Sequence, residues 1–278
     1  MIETLNGGGP ARPLALLAVI GLVAAEWLWL AWRRSAPSGY DLRETAVSTL
    51  IAVGNRLLRP LSAALLAPLF LWVHQHRLLD LQPSGAPGYL GAGLLVDFVY
   101  YWLHRSSHRI RWLWATHGVH HSSTRFNLSA AYRLGWTDLF SGTWLFALGL
   151  VWLGLPPLVV VGALGLNLLF QFLLHTELVG RLGWLEWLLN TPDHHRVHHA
   201  LNASVRDRNF GGVLIVWDRL FGTYTQAPAH ETLRYGVAGR EPSHHPLHIV
   251  FGEWLALYRD LRKVRGLRQA LSLLFMPR

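Results

Sequence analysis

One apolar run near the N-terminus limits the folds open to this chain more than any other feature. Residues 14–32 carry a single charged side chain, Glu26. At about 1.5 Å per residue, a helix of this length crosses the roughly 30 Å hydrocarbon core of a bilayer. A signal peptide is the alternative, but Arg33 and Arg34 follow directly and are typical of a stop-transfer border. The run therefore predicts a transmembrane helix.

Four further apolar stretches follow. They are residues 60–73, 89–103, 139–155 and 158–174. The first is short for a full span, so it either extends back through residues 45–58 or remains partly re-entrant. Pro156 and Pro157 separate the last two and predict a tight helical hairpin, whereas the Pro- and Gly-rich residues 82–88 predict a loop. The predicted fold class is all-α, an integral membrane helical bundle of about five apolar segments with a cytoplasmic helical cap.

The composition agrees with a membrane location. Hydrophobic residues make up 51% of the 278 residues and charged residues only 15%. The formal net charge of +9 fits arginines on loops that face the cytoplasm and anionic lipid, so no nucleic-acid partner is expected. Because the chain has no cysteine, any metal ligands must be nitrogen or oxygen atoms.

The distribution of arginines predicts the orientation. They gather in the loop after the first apolar segment and in residues 104–133, whereas the other short loops hold almost none. The positive-inside rule then places the N-terminus outside and the histidine clusters described below on the cytoplasmic side. Arginine replaces lysine almost throughout, as in bacteria of high genomic GC content, so the bacterial inner membrane is the expected location.

The chain is expected to form one domain, residues 1–278. Its transmembrane part covers about residues 14–175, and its metal-binding and cap part covers about residues 104–133 and 176–278. Residues 251–275 alternate apolar and Arg-rich positions, which predicts an amphipathic helix on the membrane surface. A helix packed against the catalytic part is the alternative.

Three histidine clusters carry the chemistry. They are His104 and His108; His117, His120 and His121; and His195, His198 and His199. Residues three and four apart share a helix face, so each cluster presents its imidazoles together. Uncharged imidazoles crowded without a metal would lack partners, and protonated imidazoles would repel each other. Eight nitrogens exceed what one tetrahedral ion takes, so the clusters predict two adjacent metal ions.

These clusters resemble the fatty acid hydroxylase/sterol desaturase superfamily of membrane di-metal oxygenases, whose motifs HxxxH, HxxHH and HxxHH follow in this order. The resemblance is greatest to the subgroup around alkylglycerol monooxygenase. It is carried by DFVYYWLHR at 97–105, HGVHHSS at 117–123, NLSAAYR at 127–133, residues 171–177, LNTP at 189–192, residues 194–202 and DRNFGGVLIVWDRLFGT at 207–223. The similarity is strong over residues 97–224 and weak in the flanks.

The resemblance implies hydroxylation of a lipid C–H bond with O2, for a lipid of fatty-acyl, ether-lipid or sterol/isoprenoid type. It also implies two iron ions, with zinc as an alternative occupant, since imidazole suits both metals. A separate electron donor is implied: tetrahydropterin in the named subgroup, cytochrome b5 or ferredoxin-like chains in other members. His175 occupies the place of a ninth ligand that the family supplies at the end of a transmembrane helix. Some members have a second histidine four residues later, where this chain has Val179.

Several polar residues are candidates for supporting the ligands. Asp97 lies two helical turns before His104 and is interpreted either as an acceptor that orients this histidine or as the partner of an arginine. Gln171 and Asn167 lie one and two turns before His175, and they either hydrogen-bond ligands or join helices.

Two candidates, His194 and Asn202, border the third cluster, as does Asp193. Four residues further along are expected to fix the cytoplasmic cap: Asp207, Asn209, Asp218 and Arg219. Two other functions remain open from the sequence. A lipid desaturase would use the same centre, and a membrane zinc-dependent hydrolase would need only three ligands and a carboxylate base.

Overall fold

The computed structural model describes residues 11–33 and 39–276, and in this part of the chain it is helical without a β-strand. The α-helices are α1 (Ala11–Arg33), α2 (Leu42–Gln75), α3 (Gly85–Arg109), α4 (Arg111–His117), α5 (Leu128–Ala131), α6 (Asp138–Ser141), α7 (Trp144–Leu153), α8 (Pro157–Leu174), α9 (Pro192–His199), α10 (Val216–Leu220), α11 (Pro246–Leu261) and α12 (Leu267–Phe275). Two short 3-10 helices cover His120–Ser122 and Gly183–Trp187. The predicted all-α class is confirmed for the described residues.

Helix α2 settles how the short second apolar stretch forms. Asp41 caps the helix, and its side chain accepts hydrogen bonds from the backbone N–H groups of Arg43 and Glu44. The helix then continues through Pro60 and Pro68 to Gln75. Of the two alternatives from the sequence, the apolar stretch therefore extends back through residues 45–58.

Two described helices are long and apolar enough to cross a membrane, α2 and α8. Helix α1 forms over the first predicted segment, and α3 contains the third, although α3 begins at Gly85 inside the predicted loop. The fourth segment is not one helix, because Gly142 adopts a left-handed φ of 78° and separates α6 from α7. Helix α7 alone is about 15 Å long at 1.5 Å per residue, too short for a span. Five crossings and their orientation therefore stay predictions.

The proline pair forms the expected hairpin between α7 and α8. Pro157 is the first residue of α8, where its missing N–H costs no helical hydrogen bond. Gly154 ends α7 with φ 136°, and a Cβ there would lie 2.4 Å from the backbone oxygen of Leu79. The hairpin packs on α2 and α3 around a core formed by Val73, Ala92, Val96, Leu150, Val151, Leu155 and Val160.

The C-terminal stretch differs from the single amphipathic helix that the pattern predicts. Gly266, with φ 91°, divides it into α11 and α12. Helix α11 packs against α4 and α2 and buries Ile249 and Val250 beside Val47. Helix α12 buries none of its side chains. The alternative of a helix packed against the catalytic part thus describes α11, and membrane contact remains a prediction for α12.

Candidate metal centre

Four chain segments bring the predicted ligands together. Helix α3 carries the two histidines of the first cluster one turn apart near its C-terminal end. Helix α4 ends at His117, and the 3-10 helix of His120–Ser122 begins after two intervening residues. Helix α9 carries the third cluster, with Thr191 as the N-cap and Pro192 at its first position. His175 lies immediately after the last residue of α8.

The imidazoles separate into two groups. In each group, one ligand atom per residue lies within 4.8 Å of all the others. The five-histidine group consists of His104, His108, His117, His121 and His198; the four-histidine group consists of His120, His175, His195 and His199. All the histidines predicted as ligands thus lie in one of the two groups, in an arrangement suited to two ions.

The spacing of the ring nitrogens fits shared metal ions. The Nε2 atom of His117 lies 3.1 Å from that of His108 and 3.2 Å from that of His121. In the other group, the Nε2 atom of His175 lies 3.2 Å from those of His120 and His195. Two neighbouring nitrogens bound to one ion at about 2.0–2.1 Å lie roughly 2.8–3.4 Å apart in octahedral or tetrahedral geometry.

Backbone carbonyls orient several of these rings. The Nδ1 atoms of His104, His175 and His198 lie 2.9, 2.8 and 2.9 Å from the carbonyl oxygens of Phe210, Gln171 and Arg208. Since a carbonyl only accepts, Nδ1 carries the proton in each ring, and the lone pair on Nε2 points into the centre. The Nε2 atoms of His104 and His198 are buried and have no hydrogen-bond partner among the described residues. Orphaned acceptors of this kind are suited to a metal.

Burial keeps these rings neutral. It holds the pKa of His121, His195 and His199 well below its usual range, and the neighbouring imidazoles lower the pKa further. A neutral imidazole retains the lone pair that a metal ion needs. Neither group, as formed by the described residues, includes a carboxylate, so the donor set is all nitrogen.

A loop between α9 and α10 supplies two of the orienting groups. The carboxylate of Asp218 accepts from the N–H groups of Phe210 and Gly211 and from the hydroxyl of Thr223. This fixes the carbonyl of Phe210 against His104. Asp207, expected only to fix the cap, instead has its Oδ1 3.2 Å from the Nδ1 of His108.

The structure gives Asp97 partners that differ from both sequence interpretations. Its carboxylate accepts from Asn167 Nδ2 at 2.6 Å, from the N–H groups of Val213 and Leu214 at 2.8 and 3.2 Å, and from Trp217 Nε1 at 2.8 Å. Asp97 therefore joins α3 and α8 to the segment leading into α10.

A second connection continues this network. Gln171 donates to the side-chain oxygen of Asn167 and accepts from the hydroxyl of Tyr100. The side chains of Gln171 and Asn167 therefore join helices, which is one of the two roles predicted for them. The backbone carbonyl of Gln171 orients His175.

The remaining candidates lie outside both groups. His194 is 1% exposed and meets the ring of Tyr224 edge-on at 5.4 Å. Asn202 donates to Glu231 and to the carbonyl of Thr232, which tethers the chain after α9. Asp193 pairs with Arg196 at 2.9 Å. A catalytic role for His194 and Asn202 stays a prediction.

Comparison with known proteins identifies a family domain within this chain. Residues 89–223 match the sequence model of the fatty acid hydroxylase family, and this range contains all nine histidines of the two groups. Residues 89–223 form a fatty acid hydroxylase domain. The resemblance predicted from the motifs is thereby confirmed.

The chain is also similar to individual curated proteins. Alkylglycerol monooxygenase of Danio rerio is 38% identical over 258 residues, which are 92% of this chain and 56% of that protein. The Homo sapiens alkylglycerol monooxygenase is 37% identical over 214 residues, 77% of this chain and 47% of that protein. Ornithine lipid hydroxylase OlsE of Rhizobium tropici is 28% identical over 199 residues, 72% of this chain and 59% of that protein.

The chain spans about half the length of the alkylglycerol monooxygenases that it matches. No solved structure matches it.

Two buried carboxylates support this histidine centre without having been predicted to do so. Glu26, 3% exposed, accepts from the hydroxyls of Thr176 and Tyr40 and from the N–H of Leu128. It thereby links α1 to the residue that follows His175. The sequence signal was present, since Glu26 is the one charge in its apolar run.

Glu44 is the second carboxylate. It forms an ion pair with Arg133, whose side chain is fully buried. The guanidinium also donates to Ser48 on α2 and to Ser122, which follows the second histidine cluster. The pair thus fixes the 3-10 helix against α2. No periodicity in the sequence connects two residues so far apart in the chain.

Proposed function

We propose that this chain hydroxylates a C–H bond of a membrane lipid with O2, at two iron ions held by its nine clustered histidines. The observation that carries the proposal is the division of these side chains into an all-nitrogen group of five and an all-nitrogen group of four. A hydrolytic zinc site needs three protein ligands and a carboxylate base, so this donor set favours redox chemistry. The bound irons would supply the activation of O2.

The overall reaction balances as RH + O2 + 2 electrons + 2 protons giving ROH + H2O. The chain contributes orientation to this reaction. The carbonyls of Phe210, Gln171 and Arg208 hold three rings with Nε2 directed inward, and Asp207 does the same for His108. The ligand rings of α9 and the ring of His104 are almost fully buried.

The substrate is proposed to be a lipid of fatty-acyl, ether-lipid or sterol/isoprenoid type. Relatives carry the names alkylglycerol monooxygenase and ornithine lipid hydroxylase. The helices suited to span a membrane expose large apolar side chains, including Leu57 and Leu65 on α2 and Leu166 and Leu169 on α8. Because α8 ends directly before His175, a lipid beside this helix lies close to the four-histidine group. The centre would then lie on the cytoplasmic side of the bacterial inner membrane.

Metal content and O2 uptake test the proposal on detergent-purified protein from iron-supplemented cells. The reaction receives a reductant and a lipid extract. About two irons per chain, with O2 uptake that requires the lipid, are expected. Mass spectrometry then distinguishes a product that has gained one oxygen atom from a desaturated product that has lost two hydrogens. Zinc as the sole metal, with no O2 uptake after iron reconstitution, would replace the proposal with the hydrolase.

A further inference from the structure

An exposed apolar surface follows α8, one of the helices long and apolar enough to cross a membrane. Trp184 and Trp187, in the 3-10 helix of Gly183–Trp187, are 76% and 69% exposed. Leu182 and Leu188 flank this 3-10 helix and are exposed as well. We call these four side chains the tryptophan surface. Large apolar side chains exposed together in so short a segment are typical of a surface that contacts a partner or a membrane.

The backbone that carries the tryptophan surface is fixed to the rest of the cap. The carbonyl of Leu188 accepts from the N–H of Ile215 at 3.1 Å. The guanidinium of Arg219 donates to the carbonyl of Glu186, also at 3.1 Å. The two tryptophans therefore project from a segment that is tied at both of these points. Their exposure is a property of the fold and not of a free loop.

Arginines accompany the tryptophan surface. The guanidinium carbon of Arg219 lies 4.4 Å from the ring centroid of Trp187 and 3.8 Å from that of Tyr224. Arg181, whose side chain is 64% exposed, begins the same segment and pairs with Glu186. Tryptophans beside arginines suit the headgroup region of a bilayer. The indole ring is amphipathic, and a long cationic side chain keeps its charge at the lipid phosphates while its stem covers apolar surface.

The end of α1 presents the same combination of side chains. Trp29 and Trp32 are exposed, and the guanidinium carbon of Arg33 lies 4.9 and 5.9 Å from their ring centroids. Glu26, one to two helical turns earlier in α1, accepts from the hydroxyl of Thr176, the second residue after α8. At about 1.5 Å per residue, both tryptophans of α1 lie within about 10 Å of this contact along the helix axis. The two tryptophan–arginine groups thus lie near the same end of α8.

We propose that the tryptophan surface rests in the headgroup region of the membrane, in the leaflet that also holds Trp29 and Trp32. The bilayer is favoured as the occupant because the surface continues an apolar helix. Leu173 near the end of α8 and Leu178 just after it are exposed, and they precede the surface in the chain. This inference goes beyond the proposed function, since it concerns how the cap meets the membrane and does not depend on the reaction.

Single reporters test this placement, because the sequence contains no cysteine that would take up the label elsewhere. Trp184→Cys and Ala203→Cys are each labelled with a bimane fluorophore, in full-length, metal-loaded protein reconstituted into phospholipid nanodiscs. Ala203 is the matched control, because it is exposed in the cap beside Ser204, whose hydroxyl donates to Glu231. Quenching is measured with aqueous iodide and with lipids that carry a nitroxide near the headgroup or near the end of the chain. Metal content of each variant checks its folding.

The label on Trp184→Cys should be quenched at least about threefold more strongly by the headgroup nitroxide, and at least about threefold less by iodide, than the label on Ala203→Cys. A label on Trp32→Cys should behave like the one on Trp184→Cys, because both positions lie in the same leaflet. Equal iodide quenching of Trp184→Cys and Ala203→Cys, without quenching by lipid, overturns the inference.

Two other results would also overturn it. Protection of the label on Trp184→Cys from iodide and from both nitroxide lipids would show that protein covers the surface, either a second copy or another part of the chain. Stronger quenching by the chain-end nitroxide than by the headgroup nitroxide would place the surface in the hydrocarbon core. Each of these results leaves the proposed hydroxylase untouched, and loss of lipid-dependent O2 uptake in the wild type would leave the membrane placement untouched.

Discussion

Replacing Asp97 with asparagine tests whether this carboxylate supports the metal centre through the loop before α10. Its Oδ1 accepts from Asn167 and the N–H of Val213, and its Oδ2 accepts from the N–H of Leu214 and from Trp217. Asparagine has the same shape but carries only one acceptor oxygen. Whichever way the amide turns, two of the four donors face another donor.

The magnitude follows from these two lost acceptors. A buried donor left unsatisfied costs about 1–3 kcal/mol, so the direct loss is about 2–6 kcal/mol. Because the neutral amide does not carry the cost of burying a charge, part of this loss is offset, and the expected net destabilisation is about 2–4 kcal/mol. For a chain of this size, that corresponds to a fall in Tm of roughly 5–15 °C. The segment 210–214 should also shift, which moves the Phe210 carbonyl from His104 and weakens metal binding by about tenfold.

Thermal unfolding in detergent and metal titration measure the two effects separately. Asp80→Asn is the matched control, because Asp80 is 63% exposed and its side chain contacts only Arg77 and Gln82 at the surface of the described residues. Its expected effect is within about 0.5 kcal/mol. The reasoning would be refuted if Asp97→Asn and Asp80→Asn had the same Tm and the same metal affinity as wild type. A lowered Tm with unchanged metal affinity would restrict Asp97 to joining helices.

Three other perturbations probe the centre. His198→Ala and His120→Ala remove one ligand from different groups, so each should lose about one of the two metals while the other remains; metal analysis that finds both metals in both variants contradicts the assignment. Glu26→Gln replaces one of the two carboxylate oxygens, which accept from Tyr40, Leu128 and Thr176, by an NH2 group that cannot accept. The free energy of unfolding should therefore fall by about 1–3 kcal/mol, and an unchanged Tm would show that the link to Thr176 is dispensable. Lowering the pH should destabilise the metal-free protein: the buried histidines have folded-state pKa values below the ordinary 6.5, so the stability is present above pH 6.5 and is lost as the pH falls below it. Urea titrations at several pH values measure this, and a flat profile from pH 7 to 5 would contradict it.

Helices could be predicted from the sequence where a signal within the helix itself marked its extent. The apolar run before Leu174 and the proline pair before it predict α8 almost to the residue. The fourth apolar segment is not one helix because Gly142 interrupts it between Ser141 and Thr143, a short polar break inside a run that is otherwise hydrophobic. A glycine at that position is compatible with a helix, so only its φ in the folded chain distinguishes the two outcomes.

The contacts that support the histidines were harder to predict from the sequence than the histidines themselves. Asp207 stands in a polar loop, where a carboxylate is ordinary, and its contact with His108 depends on how that loop folds back onto α3. The carbonyls of Phe210 and Arg208 have no side-chain signature at all. Contacts made by the backbone across the fold require the tertiary structure.

The division of the histidines does follow a local rule, which the motif spacing contains. Pairs four residues apart share a group: His104 with His108, His117 with His121, and His195 with His199. Histidines that are adjacent in sequence belong to different groups: His120 and His121 are divided in this way, and so are His198 and His199. Adjacent side chains on a helix point about 100° apart, whereas side chains four apart lie nearly above each other.

Each HH pair therefore connects the two groups covalently. Consecutive Cα atoms are about 3.8 Å apart, so two ions bound on either side of such a pair would be held close together by the backbone itself. Two independent pairs, one in the 3-10 helix after α4 and one at the end of α9, impose the same restraint. Moving one group relative to the other would require both helical segments to unwind. The HxxHH spacing is thus a device for fixing the separation of two sites as well as for supplying their ligands.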